Sequence, residues 1–399
     1  MTYLDHAATT DVLPQVVEVV ARTMGRVGNA SSTHAPGRAA RRVVEEARED
    51  IADALGVHPS EVVFTSGGTE SDNIAVAGTY RTTRAADPVR SRVLTTGLEH
   101  HAVLDTVEHL VTDEGARVGW IEADAEGVVT PAALEAALAA ADGPRDVAVV
   151  SVIWANNEIG TVQDVPALAA VARAAGVPFH TDAVQSLGQV DLPLAGLGSG
   201  TAPDLVSLTG HKIGGPVGVG LLLAARGQSP APALRGGGQE RGLRPGTLAV
   251  PGIAGLATAV RYAVTHRDEH ASRLVGLRDR LLTGALEVDP TIRVSGPWQP
   301  GDATRRLPGN AHLQVPGTDS DSLLYLLDAA GVACSAGSAC TAGVTRPSHV
   351  LLACGVPEDL ARGALRLTLG RTSTEEDVDA FLAALPEALE RARRARGAA

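Results

Sequence analysis

The stretch Leu205-Val206-Ser207-Leu208-Thr209-Gly210-His211-Lys212-Ile213-Gly214-Gly215 decides how the chain is read. Leu205–Thr209 is a short run of apolar and β-branched character, as in a buried strand, and the glycines beyond it mark a turn. Lys212 follows the carboxyl end of that strand, where open α/β sheets place their ligands. A lysine there can form a Schiff base with an aldehyde cofactor, and an arginine cannot. Lys212 is the only lysine in the 399 residues, so every other long basic side chain is arginine. A solvated surface lysine is the competing reading, and the strand alone does not dismiss it.

Similar strands recur on both sides. Glu61–Thr65, Val93–Thr96, Val147–Trp154, Val177–Thr181 and Val219–Ala224 read as buried strands. Between and before them lie stretches of helical spacing: Arg38–Leu55, stopped by Gly56, then Pro131–Ala141 and Val165–Ala175. Strands alternating with helices predict an α/β fold whose largely parallel sheet is covered on both faces. After about Pro251 the texture changes. Helices are expected over Pro251–Thr265, Glu269–Val288, Asp319–Ala330 and Thr374–Arg396. Strands are expected over Ile292–Ser295, Asn310–Val315 and Ala364–Leu369, which together make a smaller α+β domain. The basic end, Arg391–Ala399, reads most simply as cations at the negative pole of the last helix.

Composition narrows the function classes. Apolar residues make up 44% of the chain but aromatics only 3%, so the core is aliphatic. The formal net charge of −12 speaks against direct nucleic-acid binding. No apolar run has the length of a membrane span. The first ten residues carry Asp5 and His6 and lack the basic-then-apolar pattern of a secretory leader, so the expected compartment is the cytoplasm. Three cysteines, Cys334, Cys340 and Cys354, are too few for a disulfide framework and too scattered for a closed zinc site.

Several further motifs carry chemistry. Asp182, in Phe179-His180-Thr181-Asp182-Ala183-Val184-Gln185-Ser186, ends another apolar strand. Pyridoxal phosphate (PLP) needs a carboxylate against its pyridine nitrogen. Asp182 could supply it, and the plain alternative is a helix N-cap. Gln185 lies one turn on and could reach the ring oxygen. Thr65-Ser66-Gly67-Gly68-Thr69-Glu70 follows a strand and opens a helix, so Gly68 and Thr69 are candidates for a phosphate cradle. It lacks the Gly-Lys-Ser/Thr element of a nucleotide-binding loop.

Glu99-His100-His101 lies beyond the Val93–Thr96 strand, where His100 could stack on a ring and move protons. The paired histidines lack nearby carboxylate or cysteine partners for a metal. Asn157 could donate to a ring oxygen, or simply shape a turn. Arg366 is a charge inside an apolar strand and needs an anion, either a substrate carboxylate or an internal salt bridge. Cys340 sits among small residues, Ser335-Ala336-Gly337-Ser338-Ala339-Cys340-Thr341-Ala342-Gly343. Such a segment has little to bury and is expected to move, which suits a nucleophilic thiolate. Cys354, and with less force Cys334, suit a buried structural role.

The order of these pieces resembles the NifS/IscS-type cysteine desulfurases, in the class V branch of the fold-type I PLP enzymes. The match runs from Tyr3-Leu4-Asp5-His6-Ala7-Ala8-Thr9-Thr10 through Gly28-Asn29-Ala30-Ser31-Ser32-Thr33-His34, Gly68–Asn73 and Glu99–Asp105. Asn156–Gly160, Asp182–Ser186, Gly210-His211-Lys212, Gly236–Arg241 and Gly337–Thr341 continue it in family order. The resemblance implies the PLP-dependent transferase fold of type I. Residues 14–255 would form the large PLP-binding domain, and 1–13 with 256–399 a small domain carrying the cysteine loop.

The resemblance also implies roles. Lys212 would carry PLP, Asp182 pair with its ring nitrogen, Gln185 and Asn157 contact the ring-oxygen side, and His100 stack on the ring. Gly68, Thr69, Thr209 and His211 would hold the phosphate. Thr247 would reach the phosphate of the neighbouring subunit, making a homodimer. Arg366, with Asn157, would grip the substrate, and Cys340 would take sulfur from L-cysteine, leaving L-alanine. The persulfide would pass to an iron–sulfur scaffold or a tRNA-thiolating enzyme, and Cys340 could ligate an iron–sulfur cluster only with a partner.

The implied alternatives are a selenocysteine lyase or another class V PLP lyase or transaminase, and, in a different class, a non-catalytic assembly platform. Cys334 could receive a persulfide from Cys340. Three positions depart from the family pattern: Pro245 stands where serine is common, His6 where asparagine is, and Thr209 where serine is. Proline removes a backbone donor beside Thr247.

Overall fold

The computed structural model describes residues 1–337 and 347–397 of the chain. Its strands, in chain order, are β1 (Thr2–Tyr3), β2 (Val62–Thr65), β3 (Arg92–Thr96), β4 (Arg117–Ile121), β5 (Val147–Ser151) and β6 (Phe179–Asp182). They continue with β7 (Leu205–Thr209), β8 (Gly220–Ala224), β9 (Arg293–Val294), β10 (Asn310–Gln314), β11 (Val332–Ala333) and β12 (Ala364–Thr368). Among the described residues, seven of them form one sheet in the order β2-β8-β7-β6-β5-β3-β4.

The sheet is parallel except at β8, which runs against both of its neighbours. The loop between β7 and β8 is too short for a crossover, so the chain doubles back. Because β2 is antiparallel to β8, it points the same way as β7. Thr65, Thr96, Ser151, Asp182 and Thr209 therefore all end strands on one edge of the sheet. Strands β3, β5, β6, β7 and β8 are buried along their whole length, which explains the nearly unbroken apolar sequences of β5, β7 and β8, while β3 and β6 also bury polar side chains such as Arg92, Thr95, His180 and Thr181. Helices Pro14–Met24, Ala35–Leu55 and Val250–Thr265 pack together on this layer.

A second core lies around the three-stranded antiparallel sheet β12-β10-β9. Helices Arg267–Val288, Ser320–Ala329 and Glu375–Gly397 cover it, and Leu281, Leu313, Leu367, Phe381 and Leu385 fill it. The N-terminus belongs here as well: β1 pairs in parallel with β11, and Leu4 joins this core. The last helix opens with Glu375, Glu376 and Asp377 and closes with Arg394 and Arg396, which suits its dipole. Arg393 pairs with Asp289 and Arg396 with Asp359, so the basic end up to residue 397 serves the fold.

The expected elements are all present, but three strands, β1, β4 and β11, and helices such as Pro14–Met24 and His101–Glu114 are unforeseen. Edge strand β4, Arg117-Val118-Gly119-Trp120-Ile121, carries a charge, a glycine and a half-exposed Trp120, so it shows no apolar run. The helix N-cap expected at Asp182 is also absent. A run of turns follows β6, and Asp182 Oδ1 instead accepts from Val184 N at 2.9 Å.

Phe381 is completely buried at the centre of the second core. Phe381→Ala is expected to destabilise the chain by about 3–5 kcal/mol, read from the denaturant midpoint. A shift under about 1 kcal/mol would mean that this core contributes little to holding the fold.

Candidate active site

The common strand edge gathers the expected residues around a cavity of about 380 Å³. Its lining includes Gly68, Thr69, His100, Asn157, Asp182, Gln185, Thr209, His211, Lys212 and Arg366. All of the candidates except Thr247 and Cys340 thus face one space. Thr247 is exposed and lies away from this cavity in the same chain. Cys340 falls outside the described residues. Ser335 and Gly337 line the cavity before that segment, and His349 lines it after.

After β2 the chain passes through Gly67 and Gly68 into the helix Gly68–Asn73. The approach is tight: a Cβ at Gly68 would lie 2.7 Å from Val184 Cγ2, and one at Gly220 would lie 2.7 Å from Gly67 Cα. Ser71 Oγ donates to Gly67 O at 3.0 Å and steadies the turn. The opening amides of this helix, with the Thr209 hydroxyl and the His211 ring, form a polar cradle of the kind that suits a phosphate. Burial pulls His211 down to about 4, so it is a neutral hydrogen-bonding group there.

Asp182 ends β6 and is buried. Burial raises its pKa, against the pull of His100 and Lys212. Asp72 is also buried, with Oδ1 3.5 Å from His180 Nε2 but without a hydrogen bond among the described residues, and burial and Asp182 push its carboxyl well up. Between them His180 is held by Ser151 and Ser207, each at 2.9 Å, and burial pulls it down to about 3. Among the described residues, no lysine or arginine forms an ion pair with the carboxyl group of Asp182 or Asp72. A protonated pyridine nitrogen would supply the missing positive charge.

His100 caps the helix His101–Glu114, where Ala102 N donates to its Nδ1 at 3.1 Å. In the neutral ring the proton is thus on Nε2. Loss of hydration lowers its pKa, Asp182 opposing, so the neutral ring is favoured. Lys212 Nζ donates to Ala7 O and to Ala8 O, the latter at 2.7 Å. Burial, helped by Arg366, brings the amine down to about 8. Gln185 Nε2 donates to Ala7 O at 2.9 Å, so it also holds the N-terminal segment against the site.

Arg366 reaches the cavity from β12 in the second core. Its Nη2 donates to Asp5 Oδ1 at 2.8 Å and its Nη1 to Asn157 O at 3.1 Å. The internal ion pair is present, and the same arginine also lines the cavity. Asp5, Asp72 and Glu158 were not singled out by the sequence. Glu158 is buried, accepts from Ser348 Oγ at 2.5 Å, and stands beside Gly337. Burial pushes the thiols of Cys334 and Cys354 up to about 12. Burial thus disfavours the thiolate form of both cysteines.

The residues present fit PLP. A cradle closed by glycines would take the phosphate, the buried Asp182 carboxyl would meet the ring nitrogen, and the softened Lys212 amine lines the same cavity. The profile of the family described as Aminotransferase class-V matches residues 2–381. The chain is 52% identical over 395 residues to an IscS-like cysteine desulfurase of Mycobacterium tuberculosis, covering 99% of this chain and 98% of that protein. It is 40% identical to the cysteine desulfurase IscS of Methanosarcina thermophila, covering 98% and 92% of the two chains. A solved NifS-like protein superposes with a TM-score of 0.86 at 34% identity, covering 98% of this chain and 99% of that one.

Because Lys212 is the only lysine, its amine can be followed with little background. The rate at which apo-protein reacts with added PLP, read by visible absorbance, is expected to level off above about pH 8. Below that pH the amine is protonated and the rate should drop about tenfold per unit. A midpoint at about 10.4, the value of a hydrated lysine, would overturn the desolvated geometry described for Nζ.

Proposed function

The chain belongs to the class V aminotransferase family, and from that premise we propose that it is a cysteine desulfurase that moves the sulfur of L-cysteine onto Cys340 and releases L-alanine. The observation that carries the reading is the meeting of Lys212, Asp182, His100 and Arg366 on one cavity, beside the two ends of the segment that holds Cys340. PLP, when bound, supplies the electron sink that accepts charge as the substrate's Cβ–S bond weakens.

The chain's own side chains do the rest. Lys212 holds the cofactor covalently and, once displaced, is an amine able to take or give a proton near neutral pH. Asp182 keeps the proton on the ring nitrogen. Gly68, Thr69, Thr209 and His211 bind the phosphate, and Gln185 and Asn157 orient the ring-oxygen side. Arg366 binds the substrate carboxylate, with Asn157 alongside. His100 covers the ring and moves a proton through Nε2. The Cys340 thiolate attacks the substrate sulfur: an S–S bond forms, the Cβ–S bond breaks, and its electron pair ends in the new C–H bond of alanine. The products, alanine and a Cys340 persulfide, balance cysteine plus a thiol.

The persulfide calls for an acceptor protein, an iron–sulfur scaffold or a tRNA-thiolating enzyme. Exposure of Thr247, away from its own chain's cavity, supports a homodimer in which Thr247 reaches the partner's phosphate. The two cores support a division into a large and a small domain, proposed as 14–255 and as 1–13 with 256–399, although Leu256, Ala257 and Val260 and the buried residues between Val350 and Ala364 pack in the first core. No helix among the described residues is long and apolar enough to cross a membrane. The negative net charge supports a cytoplasmic enzyme without direct nucleic-acid contact.

With a reductant, the wild type should release alanine and sulfide in equal amounts from L-cysteine. Cys340→Ala and Lys212→Ala should each lose at least about a hundredfold in rate. Full cysteine turnover by Cys340→Ala would show that another group attacks the sulfur. Separately, Arg366→Ala should raise KM about tenfold or more, the cost of a lost charge-assisted hydrogen bond to the substrate. An unchanged KM would place the substrate carboxylate elsewhere.

A further inference from the structure

Arg306 is 1% exposed, yet no carboxylate among the described residues pairs with it. Its Nη1 donates to Ser295 O at 2.6 Å and to Pro297 O at 3.4 Å. Its Nε donates to Asn310 O at 2.8 Å, and its Nη2 to Asn310 Oδ1 at 2.9 Å. Burying a guanidinium among carbonyls is costly, and burial pulls it down to about 9. Hydrophobic side chains could fill the same space, so its donors have a use that packing alone does not explain.

That use is visible in what Asn310 does next. A guanidinium only donates, so the face of the Asn310 amide that meets Arg306 must be its oxygen. The amide nitrogen is thereby turned the other way, and it donates to Glu158 O at 2.9 Å. Glu158 belongs to the turn Asn156–Thr161, which lies across the boundary between the two cores. The same face of that turn is held by Leu307 N to Gly160 O at 2.8 Å and by Val162 N to Arg305 O at 2.9 Å. Gly160 has φ +78°, and a Cβ there would lie 2.6 Å from Asn310 Oδ1. On its other side, Asn156 Nδ2 fixes the turn to Leu98 O at 2.8 Å, next to Glu99 and His100.

The turn in turn supports the site. Asn157 O accepts from Arg366 Nη1 at 3.1 Å, and the Glu158 carboxyl accepts from Ser348. We propose that Asn310, oriented by buried Arg306, is a positioning residue that fixes the Asn157–Gly160 turn and so aims Arg366 at the substrate carboxylate. Neither residue lines the cavity that holds His100, Asp182 and Arg366, and Asn310 borders only an adjoining one shared with Lys212, Gln185 and Asn157, so the pair acts on Arg366 through the turn. The substrate part of this inference rests on the proposed desulfurase reading.

Asn310→Asp tests it without opening a hole. The carboxylate keeps an oxygen toward Arg306 and gives it a counter-charge, but it loses the donor to Glu158 O. In the holoenzyme, amide hydrogen exchange over 156–162 should quicken about tenfold while the unfolding midpoint holds or rises. KM for L-cysteine should rise about tenfold, with kcat changed less than about threefold. Wild-type exchange and KM in Asn310→Asp would overturn the proposal, as would a lowered midpoint with unchanged KM, the mark of a merely structural residue. Should the wild type itself fail to turn over cysteine, the desulfurase reading falls, and the exchange measurement still decides whether Asn310 holds the turn.

Discussion

Strand direction governs everything else in this molecule. Strands β2, β3, β5, β6 and β7 point the same way, so the residues that follow them emerge together on one edge of the sheet. Gly68, His100, Asn157, Asp182 and Lys212 are far apart in sequence and come from separate strands, yet they share one cavity for this reason alone. The reversal at β8 does not disturb the arrangement. It carries no site residue, and it returns the chain so that β2 can close the sheet beside the cradle.

The second consequence is electrostatic. A buried edge of this kind strips water from whatever charge is placed on it. Lys212 loses much of its basicity there, while Asp182 and Asp72 hold protons more tightly. All three shifts have burial as their leading cause, and each weakens when the opposite charge arrives. The site is therefore most strained electrostatically when nothing cationic faces Asp182. A cofactor whose ring nitrogen carries a proton relieves that strain, and the carboxylate in return keeps the ring protonated.

How far the sequence could lead is clearest from individual residues. Leu205–Thr209 announces itself by a mostly apolar run buried on both faces, and Asn310–Val315 by strict alternation of polar and apolar residues. β4 does not, since an edge strand with Arg117, Gly119 and exposed Trp120 needs no such run. Lys212, Asp182, His100 and Asn157 were legible because each sits just beyond a recognisable strand. Asp5, Asp72 and Glu158 were not, because what matters about them is a partner distant in sequence: Arg366, His180 or Ser348. Gln185 shows the same limit. Its place was foreseen, but its hold on Ala7 O depends on where the N-terminus folds back.

That fold-back also explains how Arg366 can stay charged and buried, as its proposed role requires. Its β12 strand belongs to the second core, and so does the N-terminal β1 that carries Asp5 into range. Asp5 supplies the counter-ion and Asn157 O takes a second donor, so the guanidinium is held in one orientation by groups from both sides of the cavity. In the proposed role, a substrate carboxylate would meet a cation already aligned, with little side-chain freedom left to lose on binding. Asp5 is only partly buried, so water can reach it and lower the cost of sharing Arg366 with a second anion. A fully buried partner would hold the arginine more firmly but would resist that exchange, and a free arginine would have to be ordered each time. The partial exposure of Asp5 lies between these extremes, which is where a group that must both wait and bind is best kept.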